Sequence, residues 1–170
     1  DGWAAVARTA ATIGAGAVYI FTRAGGTWSQ QVYLKSDSPA TFKAGDLFGY
    51  SVALNADGTT LAVGSYDEGS SSGINGSFDN KLGGSGAAFV YRRTGATWQR
   101  EAFLKAREQD RNDSMGNAIA ISDDGNTVAV AALDEDSLTT GIDAVRSGDS
   151  GDTDVPDDNS SGAVYVFVRG

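Results

Sequence analysis

The sequence predicts an all-β chain made of repeated four-stranded antiparallel sheets, about two and a half of them in 170 residues. Three observations predict it. First, GAVYIFTRAGGTW (Gly16 to Trp28) is written again as GAAFVYRRTGATW (Gly86 to Trp98), and a shortened copy, GAVYVFVRG, closes at Gly170. The first two copies hold a constant offset of 70 residues through Lys35 and Lys105, which marks a structural repeat. Second, 23 glycines against 2 prolines, with runs of Val, Ile, Tyr and Phe between Gly, Asn, Asp and Ser clusters, favour short strands and many turns. No segment sustains a helical period. Third, both alternating faces of GAVYIF are apolar, Ala17, Tyr19 and Phe21 on one side and Val18 and Ile20 on the other, as in a strand covered on both faces.

Taken in order, DGWAAVA (Asp1 to Ala7) matches ADGTTLAVGS (Ala56 to Ser65) and DDGNTVAVAA (Asp123 to Ala132), so the chain is expected to begin part-way through a repeat. A strand over Ala17 to Arg23 follows, then a turn over Ala24 to Gly26 and a strand over Thr27 to Lys35. Gly25 and Gly95 are expected to supply positive φ in the equivalent hairpin turns. After the polar stretch Ser36 to Asp46, FGYSVAL (Phe48 to Leu54) has its counterpart in MGNAIAI (Met115 to Ile121). Asp57-Gly58 and Asp124-Gly125 then turn the chain back into strands at Leu61 and Val128.

One complete repeat reads FGYSVAL, TTLAVGS, GAAFVYRR, TWQREAFLK, and four antiparallel strands per repeat is the arithmetic of a β-propeller blade. The expected division is a partial blade over 1–47, a full blade over 48–105 and a partial blade over 106–170, with three, four and three strands. The outer strands TWSQQVYLK and TWQREAFLK are the most polar. A hydrophobic share of 41% in 170 residues suffices for one globular unit and is short for two.

Composition excludes several function classes. Cysteine and histidine are both absent, which removes disulfides, thiolate zinc sites and the Ser-His-Asp and Cys-His nucleophile systems. A formal net charge of −9 argues against nucleic acid and against an anionic membrane surface as partners. The charge is concentrated: from Leu133 to Ser161, nine carboxylates face the single Arg146, a local net of −8. No apolar run approaches membrane-spanning length, so a soluble chain is expected, any signal peptide lying outside these residues.

The repeat resembles the FG-GAP family, the blade unit of integrin-α-type β-propellers, and most closely its bacterial secreted branch. The residues that carry the resemblance are FGYSVALNADGTTLAVGS (Phe48 to Ser65), GAVYIFTRAGGTWSQQVYLK (Gly16 to Lys35) and their copies at Met115 to Ala131, Gly86 to Lys105 and Gly162 to Arg169. Departures are visible. The family's Gly-Ala-Pro element is Gly64-Ser65-Tyr66 in one copy and Ala131-Ala132-Leu133 in the next, and Phe48-Gly49 becomes Met115-Gly116, so the last repeat is degenerate. The resemblance implies an extracellular or cell-surface location, and calcium held by acidic loops.

Four sets of residues come into question for chemistry. The family's calcium loop is reduced here to Asn55, Asp57, Gly58 and to Ser122, Asp124, Gly125, which read as Asx-stabilised turns in preference to a calcium loop. The long loops Tyr66 to Ser85 and Leu133 to Ser161 place Asp67, Glu68 and Asp79, and Asp149, Asp152 and Asp154, as candidate Ca2+ ligands or as solvated acidic loops. Trp28 and Trp98 recur at one place in the repeat, which favours equivalent packing on outer strands over a sugar platform. Arg92, Arg93, Arg100, Lys105, Arg107 and Arg111 alternate with acids and read as a mixed surface. No spacing singles out a catalytic pair of carboxylates.

The functional expectation is a non-enzymatic extracellular structural or adhesive module, calcium-dependent through its acidic loops. Its partners are further blades, copies of itself, a surface protein or a glycan, without nucleic acid or membrane insertion. A carbohydrate-binding module is the alternative, and a fragment of a secreted glycoside-processing enzyme the third. Two and a half blades cannot close a ring, which needs about four to eight.

Overall fold

The computed structural model describes residues 2–6, 14–39, 45–137, 140–142 and 161–170. Strands β1 (Gly2–Val6), β2 (Val18–Ala24) and β3 (Thr27–Leu34) form a first sheet in the order β1-β2-β3. Strands β4 (Ser51–Leu54), β5 (Thr60–Ser65), β6 (Ala87–Thr94) and β7 (Thr97–Leu104) form a second in the order β4-β5-β6-β7. Strands β8 (Met115–Ile121), β9 (Thr127–Ala132) and β10 (Ala163–Val168) form a third in the order β10-β9-β8. Every pairing between these strands is antiparallel and no helix occurs among the described residues, so the chain is all-β as expected.

Local chemistry explains the repetition. The β2–β3 hairpin turns on Gly25 (φ 54°) and Gly26 (φ 84°), and β6–β7 turns on Gly95 (φ 61°). The register shifts between Ile20 and Phe21 in the first hairpin and between Val90 and Tyr91 in the second, the same place in both copies. A bulge held at a matched position gives both hairpins the same local twist.

The sheets stack face to face around two apolar layers. Between the first and second sheets, Val18 and Ile20 meet Leu61, Val63, Phe89, Tyr91 and Phe103, with Val32 and Leu34 packed alongside. Phe48 fills the centre, its ring 5.2 Å from Phe89 and 6.2 Å from Tyr91 in edge-on contact. Between the second and third sheets, Ala62, Ala88, Val90 and Leu104 meet Met115, Val128, Val130 and Ala132. The second sheet thus buries large aromatics on one face and small aliphatics on the other.

This stacking demands close backbone approach at both seams between sheets. Gly16 bridges to Phe48 and Gly86 to Met115, both parallel. A Cβ on Gly16 would lie 2.0 Å from the Phe48 carbonyl oxygen, and one on Gly86 2.1 Å from that of Met115, so neither position accepts a side chain. The partner glycines, Gly49 (φ 87°) and Gly116 (φ 97°), face the carbonyls of Ala17 and Ala87 across the same two seams. Phe48-Gly49 and Met115-Gly116 are therefore inter-sheet joints, an apolar plug followed by a backbone contact.

Candidate functional site

The loop joining β5 to β6 is organised by a buried ion pair. Lys105, just past β7, places its ammonium 3.1 Å from Glu68 Oε2, 2.8 Å from Ser85 Oγ and 2.6 Å from the Gly86 carbonyl oxygen. Both charged side chains are shut off from solvent. Burial pushes the Lys105 ammonium below the usual lysine value, and the Glu68 carboxylate opposes that shift. The other oxygen, Glu68 Oε1, accepts from the Ser70 backbone N–H at 3.0 Å and from the Ser70 hydroxyl. Sequence reasoning missed this pair. Its signal was the identity of Lys35 and Lys105 in the repeat, together with matched Asp-Glu pairs at Asp67-Glu68 and Asp134-Glu135.

Asp67, Glu68 and Asp79 are not gathered around a common point. Asp79 accepts from the Ser71 backbone N–H at 2.8 Å and the Ser71 hydroxyl at 2.7 Å, and lies 2.9 Å from the Lys81 ammonium. The Ser71 backbone hydrogen bond leads the causes that hold its carboxyl well below the usual aspartate range. Asp67 is exposed, and partial desolvation raises its carboxyl. Among the described residues no group of three or more carboxylates is arranged to hold a metal ion. With Glu68 neutralised by an ammonium and Asp79 occupied by Ser71, these side chains do not fit a calcium site as they stand. Asp149, Asp152 and Asp154 lie outside the described residues.

The reduced loops between strands serve as turns. Asn55 Oδ1 accepts from the backbone N–H of Thr59 and Thr60, and Asp57 Oδ1 from Thr59. In the third sheet Asp124 accepts from the Asn126 N–H at 3.0 Å and the Ser122 hydroxyl at 2.6 Å. The hydrogen bonds from Thr59 and Ser122, respectively, lead in lowering the two aspartates.

The two tryptophans differ, contrary to the expectation of equivalent packing. Trp98 is 9% exposed, joins the layer between the first and second sheets, and donates from Nε1 to Gln31 Oε1 at 3.1 Å. Trp28 is 48% exposed. The local geometry is the same in both, with Arg23 5.9 Å above Trp28 and Arg93 6.0 Å above Trp98. Only the neighbouring sheet differs: the face of β7 that carries Trp98 is covered by β3, whereas Trp28 points to the outer side of the first sheet.

The same contrast defines two end faces. On the outer side of the first sheet, Tyr33 is exposed and Tyr19 and Phe21 half-buried, with the Tyr19 and Tyr33 rings 5.0 Å apart. Their repeat equivalents Phe89, Tyr91 and Phe103 are buried between sheets. On the outer side of the third sheet, Val164, Val166 and Val168 are 65%, 62% and 71% exposed. The first two pair in register with Ala131 and Ala129. Their equivalents Ala88 and Val90 are buried by Met115, Val128 and Val130. One end of the chain is aromatic and the other aliphatic, and inside the molecule such faces meet each other.

No helix among the described residues is long and apolar enough to cross a membrane. The chain matches none of the models of known families, and no curated protein matches it.

Proposed function

We propose that this chain is a non-enzymatic structural module of the FG-GAP, β-propeller type, which completes itself by stacking its two end faces against further blades or against copies of itself. The observation that supports it most is the row Val164 and Val166, exposed on a sheet face where their counterparts in the second sheet, Ala88 and Val90, are buried. Fully burying a valine is worth about 1.5–3 kcal/mol, so this row favours a covering partner. The aromatic end, with Trp28 and Tyr33, has the chemistry that covers such aliphatic faces inside the molecule. Because the ends differ, self-association is heterologous, giving a ring if the rotation closes and a filament if it does not. An adhesive role at a cell surface is the setting implied by the resemblance. A calcium contribution belongs to the loop that carries Asp149, Asp152 and Asp154.

A complementation experiment tests this. Val166→Lys blocks the aliphatic end and Trp28→Glu the aromatic end. Each variant alone should be monomeric, and their mixture should form a one-to-one dimer through the two intact ends. A mixture that stays monomeric while the unaltered chain associates would point to a different surface.

The exposure of Trp28 and Tyr33 also suits a carbohydrate platform. Glycan binding that is lost in Trp28→Ala, with assembly unchanged, would favour that second reading.

A further inference from the structure

The buried pair Glu68 and Lys105 holds an amine and a carboxyl group in the arrangement that a condensation between them needs. The Lys105 side chain is 0% exposed and that of Glu68 3% exposed, with the ammonium 3.1 Å from Glu68 Oε2. A buried ion pair carries a desolvation penalty that a neutral group does not. Burial pushes the ammonium towards the neutral amine, which is the nucleophilic form.

The two carboxyl oxygens are held differently. Oε1 accepts from the backbone N–H and the hydroxyl of Ser70, two donors placed where negative charge develops when an amine attacks the carboxyl carbon. Oε2 faces the ammonium and is the oxygen that can depart. Ser85 Oγ, 2.8 Å from the same nitrogen, is a proton carrier beside it. The product of condensation keeps the partners of the ion pair. An amide nitrogen retains one hydrogen for the Gly86 carbonyl, 2.6 Å from the Lys105 nitrogen, and the amide oxygen retains both Ser70 donors. No buried charge then remains, and no buried polar group is left unpaired by the change.

The first sheet supplies the contrast. Lys35 stands at the place of Lys105 in the repeat and donates to the Gly16 carbonyl, as Lys105 does to that of Gly86. Ala15 replaces Ser85, and no acid lies between Asp1 and Asp37 in the sequence, so the connection from β1 to β2 offers no counterpart of Glu68. Lys105 has both partners, and Lys35 has neither.

We propose that Lys105 and Glu68 condense in the folded chain into an internal amide cross-link, Nζ to Cδ. One proton crosses from the ammonium to Oε2, the neutral nitrogen attacks Cδ, and the charge gathering on Oε1 is held by Ser70. A second proton leaves the nitrogen for Oε2 by way of Ser85 Oγ, the Cδ–Oε2 bond breaks, and one water departs. Nothing is oxidised or reduced, and no co-reactant is consumed. Holding the two groups in contact makes the condensation unimolecular. The link joins positions 37 residues apart, tying the β5–β6 connection to the end of β7 and constraining the unfolded chain as a disulfide would. This inference concerns one buried site and stands independently of the stacking of end faces.

The test is the intact mass of the full 170-residue chain, kept folded at neutral pH and then fully denatured for high-resolution mass spectrometry. A mass one water below that of the sequence is expected. A tryptic digest should give peptide 44–81 joined to peptide 101–107, the latter uncleaved after Lys105. Lys35→Met should lose the water as the unaltered chain does, and Lys105→Met should keep its full mass. An unaltered chain at its full sequence mass would overturn the proposal. So would loss of water that persists in Lys105→Met, or that maps to the Asp57-Gly58 or Asp124-Gly125 turns, where an Asp-Gly step can dehydrate on its own.

Discussion

The indole N–H of Trp98 donates to Gln31 Oε1 at 3.1 Å, joining the outer strand of the second sheet to that of the first. Trp28 occupies the same place in the repeat and stacks under the equivalent arginine, yet stands 48% exposed. Trp98→Ala should therefore cost about 3–5 kcal/mol of folding stability, whereas Trp28→Ala should cost about 0.5 kcal/mol or less and act on assembly instead. Denaturant titrations of the two variants, paired with their masses in solution, check both halves.

Burial of Lys105 and Glu68 makes their pairing a sharp test of the second sheet. Glu68→Gln or Lys105→Met alone strands one buried charge or its partners, at a cost of about 3–5 kcal/mol. The double variant removes both charges and should cost clearly less than the two single changes together. Additive losses in thermal or chemical unfolding would show that the two side chains act separately.

Tyr91 offers the opposite sign. Its ring belongs to the layer between the first and second sheets, but its hydroxyl is buried with no hydrogen-bond partner among the described residues. Burial, first, and the nearby Asp37 push its ionisation above the usual tyrosine range. Tyr91→Phe deletes an unsatisfied polar atom without changing the ring, and should be neutral or raise stability by about 1 kcal/mol. A marked loss on calorimetry would mean that the hydroxyl has a partner in solution.

Acid should loosen the β5–β6 loop through Asp79. Its folded-state ionisation is held below the ordinary aspartate value of 3.8, so the stability it contributes is present above that value and is lost as pH falls through the depressed one. Asp57 and Asp124 act in the same direction, and Asp67, whose ionisation is raised, acts in the other. Asp79→Asn should lose about 1–2 kcal/mol at neutral pH and show a shallower decline below pH 4. An unchanged acid profile would place the sensitivity elsewhere.

Strands were legible because each copy of the repeat shows its own turns and alternation: Asp57-Gly58, Gly25-Gly26 and the doubly apolar GAVYIF need no distant partner to be read. The stacked sheets made Phe48 and Gly49 meaningful only in three dimensions, since the glycine at position 16 matters because a backbone from another sheet passes over it. The ion pair was hidden for the same reason, Lys105 and Glu68 lying 37 residues apart on different segments. The difference between Trp28 and Trp98 was illegible in principle. Their local sequences are nearly identical, and exposure is set by whether another sheet covers them.

Mass in solution tests the stacking of end faces most directly. Light scattering of the 170-residue chain across a wide concentration range should give a mass that rises above 17.5 kDa in whole-chain steps and falls back to one chain in Val166→Lys. A well-folded 17.5 kDa monomer at every concentration, unfolding cooperatively, would contradict the account.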